Sequence, residues 1–477
     1  MRKFIGLFLV CCLIFVSCQT TKTNSTGETN PIQKTADLID SIYVQTWTPE
    51  TESLCKEARL AWDSLTDEQK ELVEGEYADP DYFGADTGDA SKDYVYNGPV
   101  AGDKLILVVS FGTSFNDSRA QDIGGIEAAV AKAFPNWEVR RAFTSQIIIN
   151  HVLARDNVKI LNVKQALDAA VSSSVKELVV LPTHLMSGHE YDELSEELDN
   201  YKSSIPSIKL AKNLLSTQED KEFTAKAVFQ AANVPSDTAL VVMGHGTSHS
   251  AKVTYTQMQK IFSDNGYSNV FVGTVEGEPE ETEVSEVIEA VHAAGFTKVI
   301  LRPLMVVAGD HANNDMAGED EDSWLSLFNA SGYFDSVDVQ IAGLGRIPEV
   351  QSLYVKHLGE IASSSTPADY GYVKFESDSS MFHLNETLKG KAKLVLNRGV
   401  LCAEMIMPSK NIVNIAMEPN GEGLLLAPET VSVTYDDGAT EDVYAFYLPA
   451  KAFNESFVVS ILGTKGVWYD HTVTLTK

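Results

Sequence analysis

The feature that most constrains the fold is a series of short, uninterrupted apolar runs in the middle of the chain. These are LILVVSF at 105–111, VRRAFT at 139–144, ELVVLPT at 177–183, LVVMG at 240–244, VFVGTV at 270–275, KVILRPLM at 298–305 and VQIAGLG at 339–345. A strand with one wet face alternates apolar and polar residues, whereas an unbroken β-branched run is buried on both faces. Separated as they are by stretches of helical composition, these runs predict parallel strands in βαβ units. The region from Lys104 to Leu358 is therefore read as α/β.

Within it the sequence repeats itself. LILVVSFGTSFND, beginning at Leu105, aligns without a gap with ALVVMGHGTSHSA, beginning at Ala239, and VVLPTHLMSGHE ending at Glu190 matches ILRPLMVVAGDH ending at His311. Two landmarks in the same order imply a duplication. The expectation is two half-domains, 104–225 and 237–358, facing each other across a cleft. Open parallel sheets bind ligands beyond the carboxyl ends of their strands, so the turns after these strands should line that cleft.

The flanks differ in texture. Residues 31–103 read as a helical pair and a linker, with Thr66 and Gln69 forming a capping box before the second helix. From 370 to 477 the pattern alternates, as in VSVTY at 431–435 and DVYAFYL at 442–448 around Asp436-Asp437-Gly438. This predicts a small antiparallel β-sandwich domain. Its Tyr435, Tyr444, Tyr447, Trp468, Tyr469 and His471 could supply a haem-binding face, although aromatics in strands are far more often packing residues.

At the N-terminus, Arg2 and Lys3 precede an apolar run from Phe4 to Val16, too short for an ordinary membrane span. This reads as a signal peptide over 1–17. The sequence Phe15-Val16-Ser17-Cys18 resembles a lipoprotein cleavage box, which makes Cys18 the lipidated residue and 19–30 a disordered tether. The expected location is an exported, membrane-anchored lipoprotein. Besides Cys11, Cys12 and Cys18, only Cys55 and Cys402 remain, far apart in sequence, so neither a disulfide framework nor a cysteine zinc site is expected. The formal net charge of -30 argues against nucleic acid as the main partner.

The chemistry concentrates at strand ends of the second half. His245 follows a strand within Gly244-His245-Gly246-Thr247-Ser248-His249, where the flanking glycines would let a ligand approach the backbone. Glu276 follows the next strand, and His311 lies just beyond another in Ala308-Gly309-Asp310-His311-Ala312-Asn313-Asn314-Asp315. Two imidazoles and a carboxylate on one rim suit Co2+, Ni2+, Fe2+ or Zn2+ and leave coordination positions open. A single histidine after a strand is more often a hydrogen-bonded turn residue, but the repeat is informative: the first half has Phe111 and Glu190 where the second has His245 and His311. No nucleotide-binding loop is present, so no nucleotide cofactor is expected.

The segments SFGTS at 110–114, RAFTS at 141–145, GHGTSH at 244–249, VEGEPE at 275–280 and AGDHANNDMAG at 308–318 closely resemble the anaerobic cobalt chelatases of the CbiK type. These are class II chelatases that insert a divalent metal into sirohydrochlorin on the route to cobalamin. The resemblance implies that His245, Glu276 and His311 hold the metal, and that Glu190, across the cleft, joins His245 and His311 in catalysis. It makes the metal a substrate, Co2+ before Ni2+ or Fe2+, and a tetrapyrrole the other. Since that substrate carries several carboxylates, Arg140, Arg141 and Arg302 are candidate cations for it, with ordinary ion pairing as the competing reading. Export sits awkwardly with cytoplasmic biosynthesis. A non-catalytic surface lipoprotein that binds metal or tetrapyrrole for salvage, alone or as a homo-oligomer or with a transporter, is the alternative.

Overall fold

The computed structural model describes residues 30–477 except 80–82, 85–86, 95–99, 101, 364–368, 383, 385–388 and 436. The apolar run, Cys11, Cys12, Cys18 and nearly all of the tether lie outside the described residues, as does Asp436 of the C-terminal turn. Among the described residues, no helix is long and apolar enough to cross a membrane.

Two four-stranded parallel sheets form the middle of the chain. The first holds β1 (Lys104–Ser110), β2 (Glu138–Phe143), β3 (Glu177–Pro182) and β4 (Ser207–Leu210) in the order β2-β1-β3-β4. The second holds β5 (Ala239–Gly244), β6 (Val270–Thr274), β7 (Lys298–Pro303) and β8 (Ser336–Val339) in the matching order β6-β5-β7-β8. Identical order in both sheets is what the repeat predicts.

The unbroken apolar runs follow from burial on both faces. Along β1, Ile106 and Val108 point into a core shared with Leu240 and Val242 of β5, while Leu105, Leu107 and Val109 point outward against Leu167, Leu194 and Leu198. The shared core is filled by four helices, Gly124–Ala133, Gln218–Ala232, Val253–Asp264 and Pro348–Gly359, through residues such as Val130, Val228, Phe262 and Tyr354. The outer face of the second sheet is covered by Val287, Val291, Trp324 and Phe328. The two halves are thus joined by a common helical layer, and their strand ends open on the same rim.

One strand falls elsewhere than the sequence suggests. β8 is Ser336–Val339, not the run at 339–345, because Gly343 and Gly345 are needed for close packing on the other half. A Cβ at Gly343 would lie 2.4 Å from the Asp122 carboxylate, and one at Gly345 would lie 2.4 Å from the Asp122 carbonyl oxygen. The strand β4 has no signal in the apolar pattern, since it is a half-exposed edge of four residues.

The helices Pro31–Ile42 and Thr51–Asp63 pack their Ala36, Ile39, Cys55 and Ala58 against Ala154 of the helix Gln146–Asp156. Thr66 and Gln69 form the expected capping box, on a helix of only four residues, Asp67–Lys70. Cys55 and Cys402 are free and buried.

The C-terminal strands run from β9 (Tyr372–Ser377) to β17 (Trp468–Thr476) and hydrogen-bond as one nine-stranded antiparallel sheet. In place of two separate sheets, this single sheet curls until β13 (Leu425–Leu426), near one edge, touches β15 (Thr440–Pro449), near the other. Its core is built from Leu394, Met405, Phe446, Ile461 and Val473. The turn between β10 (Lys391–Asn397) and β11 (Val400–Met407) docks on the edge strand β2, where the Val139 amide donates to the Gly399 carbonyl at 2.8 Å. Of the aromatics named for a haem face, Tyr435 bonds Glu441, Tyr447 bonds Glu404, and His471 pairs with Asp378.

Candidate metal centre

His245 and His311 meet at the rim of the second half-domain. Their rings lie edge to face, with centroids 4.5 Å apart and planes at 84°. His245 is exposed directly after β5, and His311 is half-buried beyond β7. Each imidazole has its Nδ1 engaged by an acceptor. His245 Nδ1 lies 3.0 Å from the Gly246 carbonyl oxygen, and His311 Nδ1 lies 2.6 Å from Asp315 Oδ2. A carbonyl or carboxylate requires Nδ1 to carry the proton, which leaves the Nε2 lone pair of both rings available to a cation. A carboxylate behind a ligating histidine also raises its basicity.

Glu276 sits between them in the chain and beside them in space. Its amide donates to the His245 carbonyl at 2.9 Å, and its charge acts on the His311 ring. The glycines around His245 are explained by these neighbours and not by a ligand. A Cβ at Gly246, whose φ is +93°, would lie 2.7 Å from Glu276 Cβ, and one at Gly244 would lie 2.3 Å from the Tyr255 ring. Tyr255 Oη also accepts from the Gly246 amide at 3.1 Å, which fixes the turn that presents His245.

Partial burial opposes charge on His311, but hydrogen bonding to Asp315 and the nearby Asp310 and Glu276 carboxylates overcome it, so its imidazole lies above the ordinary value. Asp310, His311 and Asp315 bring their donor atoms within 4.8 Å of one another. Asp315 carries no role in the sequence pattern by itself. Its spacing of four residues after His311, one helical turn, was the available signal.

Glu190 lies in the first turn of the helix His189–Asp199 of the first half, and its charge reaches both Tyr255 and His184. Its charge thus acts from the first half on Tyr255, the residue that fixes the His245 turn. His184 has two covered ring nitrogens without a hydrogen-bond partner among the described residues, and burial, opposed by Glu190, pushes its imidazole down to about 4. A second seam between the halves joins His249 Nε2 to Asp192 at 3.4 Å, with the His189 ring against His249.

The proposed substrate cations must be corrected. Arg140, Arg141 and Arg302 are 5%, 2% and 4% exposed. Arg141 is bidentate to both Asp93 and Glu127, Arg140 pairs with Glu138, and Arg302 bonds Gln340. A guanidinium held inside the fold by buried carboxylates is structural. Arg119 joins the same cluster through Asp93 at 2.7 Å and reaches Asp156 at 3.6 Å, so these guanidiniums are engaged by carboxylates inside the fold.

Fold and site together define a class: two like α/β halves, with a histidine pair at the strand ends of one and an exposed carboxylate, Glu190, in the first helical turn beyond a strand end of the other. Residues 104–363 match the family described as cobalt chelatase (CbiK), and the chain belongs to that family. It is 35% identical over 256 residues to the sirohydrochlorin cobaltochelatase of Salmonella typhimurium, covering 54% of this chain and 95% of that one. Against the sirohydrochlorin cobaltochelatase CbiKC of Nitratidesulfovibrio vulgaris it is 30% identical over 235 residues, covering 48% and 80%. Among solved structures, SirB from Bacillus subtilis with Fe3+ matches at 16% identity and a TM-score of 0.41, covering 54% of this chain and 95% of SirB.

Proposed function

We propose that this protein is a metal chelatase that inserts Co2+ into sirohydrochlorin, with both the metal and the tetrapyrrole as substrates. The observation that carries this reading is the pair His245 and His311, 4.5 Å apart, each with Nδ1 tied to an acceptor so that Nε2 is available to the metal. Its support is family membership over the whole α/β module and a relative of that named activity aligned over nearly its full length.

The chemistry follows from the substrates. A free tetrapyrrole loses two pyrrole protons as the metal enters, so the site needs a group to hold M2+ and a base to take protons. His245, His311 and Glu276 would hold the cation with positions left open for macrocycle nitrogens. Glu190, exposed and on the other half, would receive the protons and pass them to solvent. Imidazole and carboxylate donors also accept Ni2+ or Fe2+.

Export and anchoring through Cys18 form a second part of the proposal, supported by the basic start and the apolar run Phe4 to Val16. In that location the substrates arrive from outside, and a transporter is the partner that would receive the product. Labelling with a radioactive fatty acid, lost in Cys18→Ser, tests the anchor. For the activity, the test is turnover: the purified chain at a small fraction of the sirohydrochlorin concentration should convert many equivalents, followed by visible absorbance. Conversion stopping at one equivalent would replace the enzyme by a surface receptor.

A further inference from the structure

Residues 31–103 lie outside the family-matched segment, yet part of them is pinned to the cleft rim. Phe111, at the carboxyl end of β1, occupies the position that corresponds to His245 in the other half, and its ring is 49% exposed. Its carbonyl accepts from the amide of Ser145, which caps the helix Gln146–Asp156. The first amide of that helix, Gln146, donates to Gln45 Oε1 at 3.1 Å, and Asn150 Nδ2 donates to the Ile42 carbonyl at 2.9 Å. The turn leaving the helix Pro31–Ile42 is therefore fixed one hydrogen bond away from the segment that carries Phe111.

The segment that carries Phe111 also meets the metal loop: a Cβ on Gly309 would lie 3.0 Å from Oγ1 of Thr113, two residues beyond Phe111. Tyr43 stacks on Tyr77 with centroids 4.3 Å apart and planes at 9°. On the same turn Val44 is 43% and Trp47 39% exposed, and Tyr77 of the stack is 37% exposed. Large apolar side chains gathered at the rim of a site mark a contact surface.

We propose that this turn is a stacking wall of the tetrapyrrole site, in which Trp47, Val44 and Tyr77 extend the exposed ring of Phe111 and cover one face of the macrocycle. The inference rests on the proposed function and deepens it by naming a substrate contact that the chain adds to the family module. A planar conjugated ring with apolar faces is the ligand such side chains suit, since aromatic groups gain most from offset or edge contacts with another π-system. The wall contributes no metal ligand, so it acts on tetrapyrrole binding alone.

The test compares KM for sirohydrochlorin and for Co2+ in the full mature chain and in Trp47→Ala, Phe111→Ala, Trp47→Phe and Leu425→Ala, the last an exposed apolar residue of the C-terminal sheet. Trp47→Ala and Phe111→Ala should each raise KM for sirohydrochlorin about threefold to tenfold and leave KM for Co2+ in place. Trp47→Phe should recover most of the loss, and Leu425→Ala should behave as wild type. Alanine variants with the wild-type KM for sirohydrochlorin would overturn the wall. A wild-type chain without turnover would sink the chelatase reading instead, and absorbance titration of sirohydrochlorin into the same variants would then decide the wall by the same ratios.

Discussion

Asp122 of the first half-domain accepts a hydrogen bond from the Ala308 amide of the second at 2.9 Å, so the loop that carries His311 is held from across the molecule. Ser118, one turn earlier on the same helical run, donates to the Ala308 carbonyl at 2.6 Å. Arg346 secures the other Asp122 oxygen at 2.5 Å. Asp122→Ala should leave a buried amide unpaired and cost about 1–3 kcal/mol in urea unfolding. The same variant should raise KM for Co2+, because the loop that orients His311 loses its anchor, while Asp122→Asn, which keeps an acceptor, should lose less on both counts.

Asp315 is expected to set the metal affinity of His311. Removing a carboxylate behind a metal-bound histidine weakens binding roughly 10- to 100-fold. Calorimetric titration of Co2+ into Asp315→Ala should show a loss of that size, with a smaller one for Asp315→Asn, which can still accept from Nδ1. Equal affinities across the three proteins would show that the 2.6 Å contact has no part in holding metal.

The same contact predicts a pH dependence. A protonated imidazole has no lone pair for a cation, and His311 lies above the ordinary histidine value because its carboxylate neighbours outweigh its burial. Co2+ affinity should therefore fall as pH drops through a midpoint above about 6.5. Asp315→Asn removes one of those carboxylates and should move the midpoint down, which titrations over about pH 5.5 to 8 would resolve.

Two histidines remote from this contact predict acid sensitivity of the fold. Burial and then the charge of Arg155 push His151 down to about 3, and burial pushes His184 down to about 4. The unfolded chain binds these protons near the ordinary value of about 6.5 and the folded chain does not, so stability is full above that value and falls with pH below it. Each contributes a slope of about 1.4 kcal/mol per pH unit. His151→Phe, stacked on Phe83 as the imidazole is, should flatten the stability profile between about pH 6.5 and 5 by that amount. A variant as steep as wild type in chemical denaturation would remove His151 from the account.

What could be read from the sequence was whatever repeats or alternates. The buried strands announced themselves as unbroken apolar runs, the duplication as two aligned landmarks, and His245, Glu276 and His311 as side chains at strand ends. What could not be read depends on partners distant in sequence. Arg140 and Arg141 look like cleft cations until Glu138, Glu127 and Asp93 are found beside them. The glycines at 244 and 246 look like room for a ligand until Tyr255 and Glu276 fill it. Nothing in the pattern of residues 343–345 separates a strand from a loop pressed against Asp122.

The central claim, that the His245 and His311 pair carries metal into a tetrapyrrole, is tested most directly by one rate. Cobalt-sirohydrochlorin formation is followed by visible absorbance with catalytic amounts of the mature wild-type chain, beside the His245→Ala/His311→Ala double variant at equal concentration and with matched folding by circular dichroism. The account predicts repeated turnover by the wild type and a rate for the double variant no greater than that of Co2+ and sirohydrochlorin alone. A double variant that keeps the wild-type rate would contradict it.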